Sequence, residues 1–213
     1  MSLPFPERGL YAVTADLEDF GHLKRQTRAV LSGGARVVQL RDKHGRLSPD
    51  QVRELVALCH DFRIPLIVND RVDLARRTGA DGVHLGRDDA DIHEARKILG
   101  PDAIIGISCY RDLTRASAAE QAGASYVAFG AFFPSPSKPE APPAPLTLLR
   151  QARRTLRCPV VAIGGITLDR APEVIEAGAD LIAVISALFH SPDPRKAASA
   201  FARLFPDPEP KRE

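Results

Sequence analysis

In Leu66-Ile67-Val68-Asn69-Asp70, an apolar run passes straight into an amide and a carboxylate, and Arg71 follows. A run this short and this apolar predicts a strand buried on both faces, as in a parallel sheet. Its polar end then falls at the rim of the sheet, where Asp70 is free to hold a hard cation through oxygen. Read alone, the same Asn69 and Asp70 also suit a helix cap. The rest of the chain bears on which reading holds.

Apolar runs of this kind recur eight times, at residues 10–14, 37–41, 65–69, 82–85, 104–108, 126–130, 160–164 and 181–186, with helical patterns between them. In the second of these patterns Ser48, Pro49 and Gln51 supply an N-cap, a first-turn proline and a capping-box partner. Val52, Leu55, Val56, Cys59 and Phe62 then follow at helical spacing. The seventh helix is expected to start at Thr167 and to stop before Gly178, a C-terminal glycine. Gly34-Ala35, Gly79-Ala80, Gly123-Ala124 and Gly178-Ala179 each stand a residue or two before a strand, a weak internal repeat of βα units. Eight such units predict an α/β fold of the (β/α)8 TIM-barrel class as a single domain over residues 1–205, with 206–213 a disordered tail. A doubly wound open sheet is the competitor, but no G-x-G-x-x-G follows any strand.

The 213 residues suffice for one domain with a full core. A net charge of +2 gives no sign of a general nucleic-acid binder. Cys59, Cys109 and Cys158 form no CxxC pair and no zinc spacing, so reduced thiols in the cytoplasm are expected. No apolar run has the length of a membrane span, and Met1 to Arg8 lack a signal-peptide core.

In a barrel the strands' carboxyl ends share one rim, so polar residues distant in sequence can be pooled there. Strand two ends in Gln39-Leu40-Arg41-Asp42-Lys43, strand three in Asn69-Asp70, and strand five in Ser108. Strand four, with His84, leads to Gly86-Arg87-Asp88-Asp89. Gly164-Gly165 and Ile185-Ser186 close strands seven and eight, the usual phosphate cradle of such barrels. Gln39, Arg41 and Lys43, with Lys138 from a long loop, make a second and more cationic anion site. That loop, 133–145, holds six of the chain's 18 prolines, which lower the entropy lost on closing over a ligand. Asp70 and Asp89 are candidate Mg²⁺ ligands; Asp88 is a rival for Asp89, and each of those two also reads as a first-turn helix acid. His84 reads as a buried structural histidine before a catalytic base. Cys109, with no His and acid pair beside it, is not expected to be a nucleophile.

The motifs Gln39-Leu-Arg-Asp-Lys43, Asn69-Asp70-Arg71, Gly82-Val-His-Leu-Gly86 with Asp89, and Gly106-Ile-Ser108 resemble the thiamine phosphate synthase family. So do Phe133-Pro-Ser-Pro-Ser-Lys138, Ala162-Ile-Gly-Gly-Ile166 and Val184-Ile-Ser186, in family order from Tyr11 to about Phe189. The resemblance implies a barrel transferase for small phosphorylated substrates. It would join hydroxymethylpyrimidine pyrophosphate to hydroxyethylthiazole phosphate by dissociative substitution, giving thiamine phosphate and pyrophosphate. It implies that Gln39, Leu40, Arg41, Asp42 and Lys43, with Asn69, Ser108 and Lys138, meet the pyrimidine pyrophosphate. Ser135, Pro136, Ser137, Gly165, Ile185 and Ser186 would meet the thiazole phosphate, and Asp70 and Asp89 one Mg²⁺ per active site. Arg41, Lys43, Ser108 and Lys138 are the catalytic candidates. A homo-oligomer is compatible with this pattern. Serine stands at 135 and 137 where the family usually has threonine, and Arg87 where glutamine is frequent. The rivals are a thiazole tautomerase and a non-catalytic thiamine-phosphate sensor on the same barrel.

Overall fold

Eight strands pair in chain order and close on themselves: β1 (Gly9–Val13), β2 (Val37–Leu40), β3 (Leu66–Asn69), β4 (Gly82–Leu85), β5 (Ile104–Tyr110), β6 (Tyr126–Phe129), β7 (Val160–Ile163) and β8 (Leu181–Val184). All pairings are parallel, and β1 against β8 completes the barrel. The structure is a computed structural model that describes residues 3–16, 19–87, 89, 91–134 and 143–205. Ser135, Pro136, Ser137 and Lys138, the rival Asp88 and the 206–213 tail lie outside the described residues.

The strands are ringed by α1 (Phe20–Ser32), α2 (Pro49–Asp61), α3 (Val72–Thr78), α4 (Ile92–Leu99), α5 (Leu113–Gln121), α6 (Thr147–Thr155), α7 (Ala171–Glu176), the short α8 (Ser186–Phe189) and α9 (Pro194–Ala202). The expected capping box opens α2: the Ser48 hydroxyl accepts from the Gln51 amide, and Gln51 returns the contact to the Ser48 amide. The expectation for the seventh helix needs correcting. Thr167 does not begin it; its carbonyl accepts the amides of Arg170 and Ala171 in a turn, and α7 starts at Ala171.

Strand alternation sorts the core into two layers. Leu10, Val38, Leu66, Val83, Ile105, Val127, Val160 and Ile182 face the helices. Tyr11, Val13, Val37, Ile67, Ile104, Tyr126, Val161 and Leu181 fill the barrel. Gly106 is glycine because a Cβ there would run into the Tyr126 ring, which lies across the barrel interior.

The Gly-Ala repeat has a physical basis at the amino end of the barrel. The residue after each of three pairs, just ahead of an even-numbered strand, accepts from the strand before it. Asp81 takes the Leu66 amide at 2.9 Å, Ser125 the Ile105 amide at 3.0 Å and Asp180 the Val160 amide at 3.0 Å. Asp81 also receives His60 Nε2 at 2.9 Å and the Leu3 amide at 2.8 Å. These contacts satisfy strand amides that would otherwise end in apolar surroundings.

Candidate active site

Strand polarity brings ten of the residues singled out in the sequence to one cavity of about 560 Å³ at the carboxyl rim. Gln39, Arg41, Lys43, Asn69, Asp70, Asp89 and Ser108 line one side, and Gly165, Ile185 and Ser186 the other. Leu40 and Asp42 do not line it. Leu40 alternates outward into the helix-facing core, 2% exposed. Asp42 is spent on its own loop, its carboxylate accepting the Arg46 and Leu47 amides at 3.0 Å. The side chains of both therefore turn away from any ligand in the cavity.

Asp70 has a backbone φ of +63°, a left-handed conformation that aspartate tolerates better than most residues. The turn is held by its amide, which donates to the His84 carbonyl at 2.9 Å. The carboxylate meets the side-chain amide of Asn69 and the acid of Asp89. Burial pushes Asp70 up to about 6, the charge and hydrogen bond of Asp89 push the same way, and Arg41 and Lys43 pull against them. Both acids and both cations thus act at one point. Asp89 is itself anchored, accepting the Gly86 amide.

Two crowded carboxylates are a reason to expect a divalent cation, which would remove the repulsion between them. Among the described residues no group of three or more His, Cys, Asp or Glu could hold a metal. Two acids leave most positions to water and phosphate oxygen, which suits Mg²⁺ better than a metal needing an all-protein cage. The residues present fit the ion.

Arg41 is oriented by Asp16, whose carboxylate accepts from the guanidinium at 2.8 Å and from the Lys43 amide at 3.2 Å. The Arg41 amide donates to Thr14 Oγ1 at 2.9 Å. Across the cavity, Gly164 and Gly165 have φ of +104° and +62°, and a Cβ on Gly165 would strike Phe133 and Pro134. The segment after β6 packs there: the Phe132 and Phe133 amides donate to the Ile163 and Gly164 carbonyls at 3.2 and 3.0 Å. Arg170 caps this side, donating to the Gly165 carbonyl at 3.2 Å with its guanidinium 4.8 Å from the Phe133 ring centroid. Arg87 lies over Tyr110 at 4.9 Å on the opposite wall.

Tyr11, Tyr126, Asp16, Arg115 and Arg170 were not singled out in the sequence. Arg115 on α5 ties two rim loops, donating to the Ser108 and Gly86 carbonyls at 2.9 Å each. His84 is buried, which pushes its pKa down to about 4 and keeps the ring neutral. It is nonetheless part of the cavity wall, with Nε2 2.9 Å from Ser108 Oγ and Nδ1 2.9 Å from the Tyr126 hydroxyl.

Fold and cavity together define an enzyme of the parallel-barrel class, with its working residues at the carboxyl ends of the strands. The chain belongs to the thiamine monophosphate synthase family, whose pattern matches residues 10–188. It is 54% identical over 199 residues to the thiamine-phosphate synthase of Thiobacillus denitrificans, covering 92% of this chain and 94% of that one. The thiamine-phosphate synthase of Methylococcus capsulatus is 50% identical, over 100% of this chain and 96% of that one. Among solved structures, a thiamine phosphate pyrophosphorylase from Pyrococcus furiosus superposes with a TM-score of 0.81 at 36% identity, covering 93% and 95% of the two chains. A 3-hexulose-6-phosphate synthase, at 18% identity and a TM-score of 0.70, shares the fold. The tautomerase and sensor readings are not favoured by these relatives. Among the described residues no helix is long and apolar enough to cross a membrane.

Proposed function

We propose that this chain is a thiamine-phosphate synthase. It joins 4-amino-2-methyl-5-hydroxymethylpyrimidine pyrophosphate to 4-methyl-5-(2-hydroxyethyl)thiazole phosphate and releases pyrophosphate. The observation that carries this reading is the meeting of Asp70, Asp89, Arg41 and Lys43 at one end of a cavity whose other end is a glycine turn with Ser186. Two anion-holding ends in one cavity suit a reaction whose two substrates both carry phosphate.

The chemistry needs little from a base. The methylene C–O bond breaks with its electron pair leaving on pyrophosphate, the aminopyrimidine ring supports the cation left behind, and the thiazole nitrogen donates the pair for the new C–N bond. The barrier falls when the departing charge meets fixed positive groups. Arg41, set by Asp16, offers a forked donor, and Lys43 a point charge. Asp70 and Asp89 would hold one Mg²⁺, which when bound supplies further positive charge to the pyrophosphate oxygens. Gln39 and Asn69 face the pyrimidine end with amide groups already committed to each other. Gly165, Ile185 and Ser186 receive the thiazole phosphate.

By the family pattern Lys138 joins the pyrophosphate side, and Ser135, Pro136 and Ser137 the thiazole side. The three cysteines, free in the structure, fit a reducing compartment, and we place the enzyme in the cytoplasm. The test is direct: incubate both precursors with Mg²⁺ and follow pyrophosphate. Release that needs both precursors and stops on chelation supports the reading; product binding without release overturns it.

A further inference from the structure

Along the cavity lining a chain of hydrogen bonds crosses the barrel from the acid end to Ser108. Asn69 donates from its amide nitrogen to Asp70, and Gln39 donates from Nε2 to Asn69 Oδ1. The Tyr11 hydroxyl donates to Gln39 Oε1 at 2.9 Å and lies 2.7 Å from the Tyr126 hydroxyl. Tyr126 lies 2.9 Å from His84 Nδ1, and His84 Nε2 2.9 Å from Ser108 Oγ.

The direction of every bond follows from the first. Asn69 presents its nitrogen to Asp70 and its oxygen to Gln39, whose Nε2 donates to it. Gln39 must then present nitrogen to Asn69 and oxygen to Tyr11. A phenol has one proton, and Tyr11 has spent its own on Gln39; Tyr126 must therefore donate to Tyr11. Tyr126 has in turn nothing left to give His84, so Nδ1 carries the ring proton. In the neutral imidazole Nε2 is then an acceptor, and it takes the Ser108 proton. Both phenols are fully buried, burial raises their pKa values, and neither gives up its proton at working pH.

We propose that Tyr11 and Tyr126 are positioning residues, whose paired hydroxyls carry the polarity set at Asp70 through to His84, fix its Nδ1-protonated tautomer, and turn Ser108 into a hydrogen-bond acceptor toward the substrate. Ser108 then selects a donor. The exocyclic amine of an aminopyrimidine satisfies its oxygen, whereas an unprotonated phosphate oxygen would set lone pair against lone pair. Gln39, engaged at both ends, is likewise held with a set order of donor and acceptor toward the cavity. The link to substrate rests on the functional reading above; the polarity of the chain does not.

The experiment uses the full chain in Mg²⁺ buffer with ring-¹⁵N histidine, read by two-bond ¹H–¹⁵N correlation, with the His84 pattern assigned by its loss in His84→Gln. The expected wild-type pattern has the proton on Nδ1. In Tyr11→Phe the Tyr126 proton loses its acceptor and turns to Nδ1, so the Nε2-protonated form appears. In that variant kcat falls about tenfold while KM for the thiazole phosphate stays within about twofold. A loss of packing alone would lower the melting temperature and leave the tautomer in place. An Nε2-protonated His84 in the wild type overturns the proposal, as does a Tyr11→Phe enzyme with unchanged tautomer and unchanged kcat. Failure of the wild type to release pyrophosphate would overturn the functional reading instead, because the tautomer is read without turnover.

Discussion

Asp16 holds the guanidinium of the cavity-lining Arg41 at 2.8 Å, with the side chains 27% and 18% exposed. The pair is half-buried, so its worth lies in orientation more than in stability. Asp16→Asn is expected to raise KM for the pyrimidine pyrophosphate about twofold to fivefold, the range set by a pair of this exposure. The melting temperature should barely move. Steady-state kinetics with each substrate varied in turn checks it; an unchanged KM would mean that Arg41 finds its position without Asp16.

The pairing of Asp70 with Asp89 sets a pH dependence whose sign can be worked out. Without metal, burial and the neighbouring acid raise Asp70 from 3.8 to about 6, so the folded chain holds this proton more tightly than the unfolded chain. The resulting stability is present in full below about pH 4 and is lost as pH rises through about 6. With Mg²⁺ the ionised form is the one that binds, so affinity for the ion should climb through about pH 6 and level off above it. Calorimetric titration with Mg²⁺ from about one pH unit below that midpoint to about two above it tests this. Asp89→Asn removes the like charge, and the midpoint of Asp70 should move down. A flat affinity across that range would remove Asp70 from the ion.

All three thiols are held protonated by burial, which pushes Cys109 and Cys158 up to about 12 and Cys59 higher still. Thiolate is the reactive form, so the folded protein should resist iodoacetamide at mildly alkaline pH and keep full activity. Peptide mass analysis of labelled native and urea-unfolded samples gives the comparison. Rapid labelling of Cys109 with loss of turnover would contradict the burial seen at the end of β5.

Much of this architecture could be read from the chain because parallel barrel strands are nearly continuous apolar runs. The eight expected runs coincide with β1 to β8 to within a residue or two at each end. Thr167 reads as a helix start because a turn and a helix N-terminus have the same residue preferences, whereas α7 begins at Ala171. Adjacency in sequence groups the residues of the Gln39–Lys43 motif, yet strand alternation sends Leu40 outward while Gln39 faces in. Tyr11 and Tyr126 were out of reach for a different reason. Alternation places each ring inside the barrel, but no local pattern reveals that two hydroxyls 115 residues apart meet at 2.7 Å. Contacts of that kind follow from barrel closure.

The two ends of the cavity should separate kinetically. Ser186, at the start of α8, lines the cavity together with Gly164 and Gly165, whereas Lys43 acts on the field around Asp70. A hydroxyl bonded to a charged phosphate is worth roughly 1.5–3 kcal/mol, or about tenfold or more in binding. Ser186→Ala is therefore expected to raise KM for the thiazole phosphate by about tenfold and to leave KM for the pyrimidine substrate nearly unchanged. Lys43→Ala should instead lower kcat, because the charge it meets grows as pyrophosphate departs. Two-substrate kinetics on both variants distinguishes these patterns. If Ser186→Ala altered only the pyrimidine KM, the monophosphate would have to bind elsewhere, and the assignment of the glycine turn as its cradle would fail.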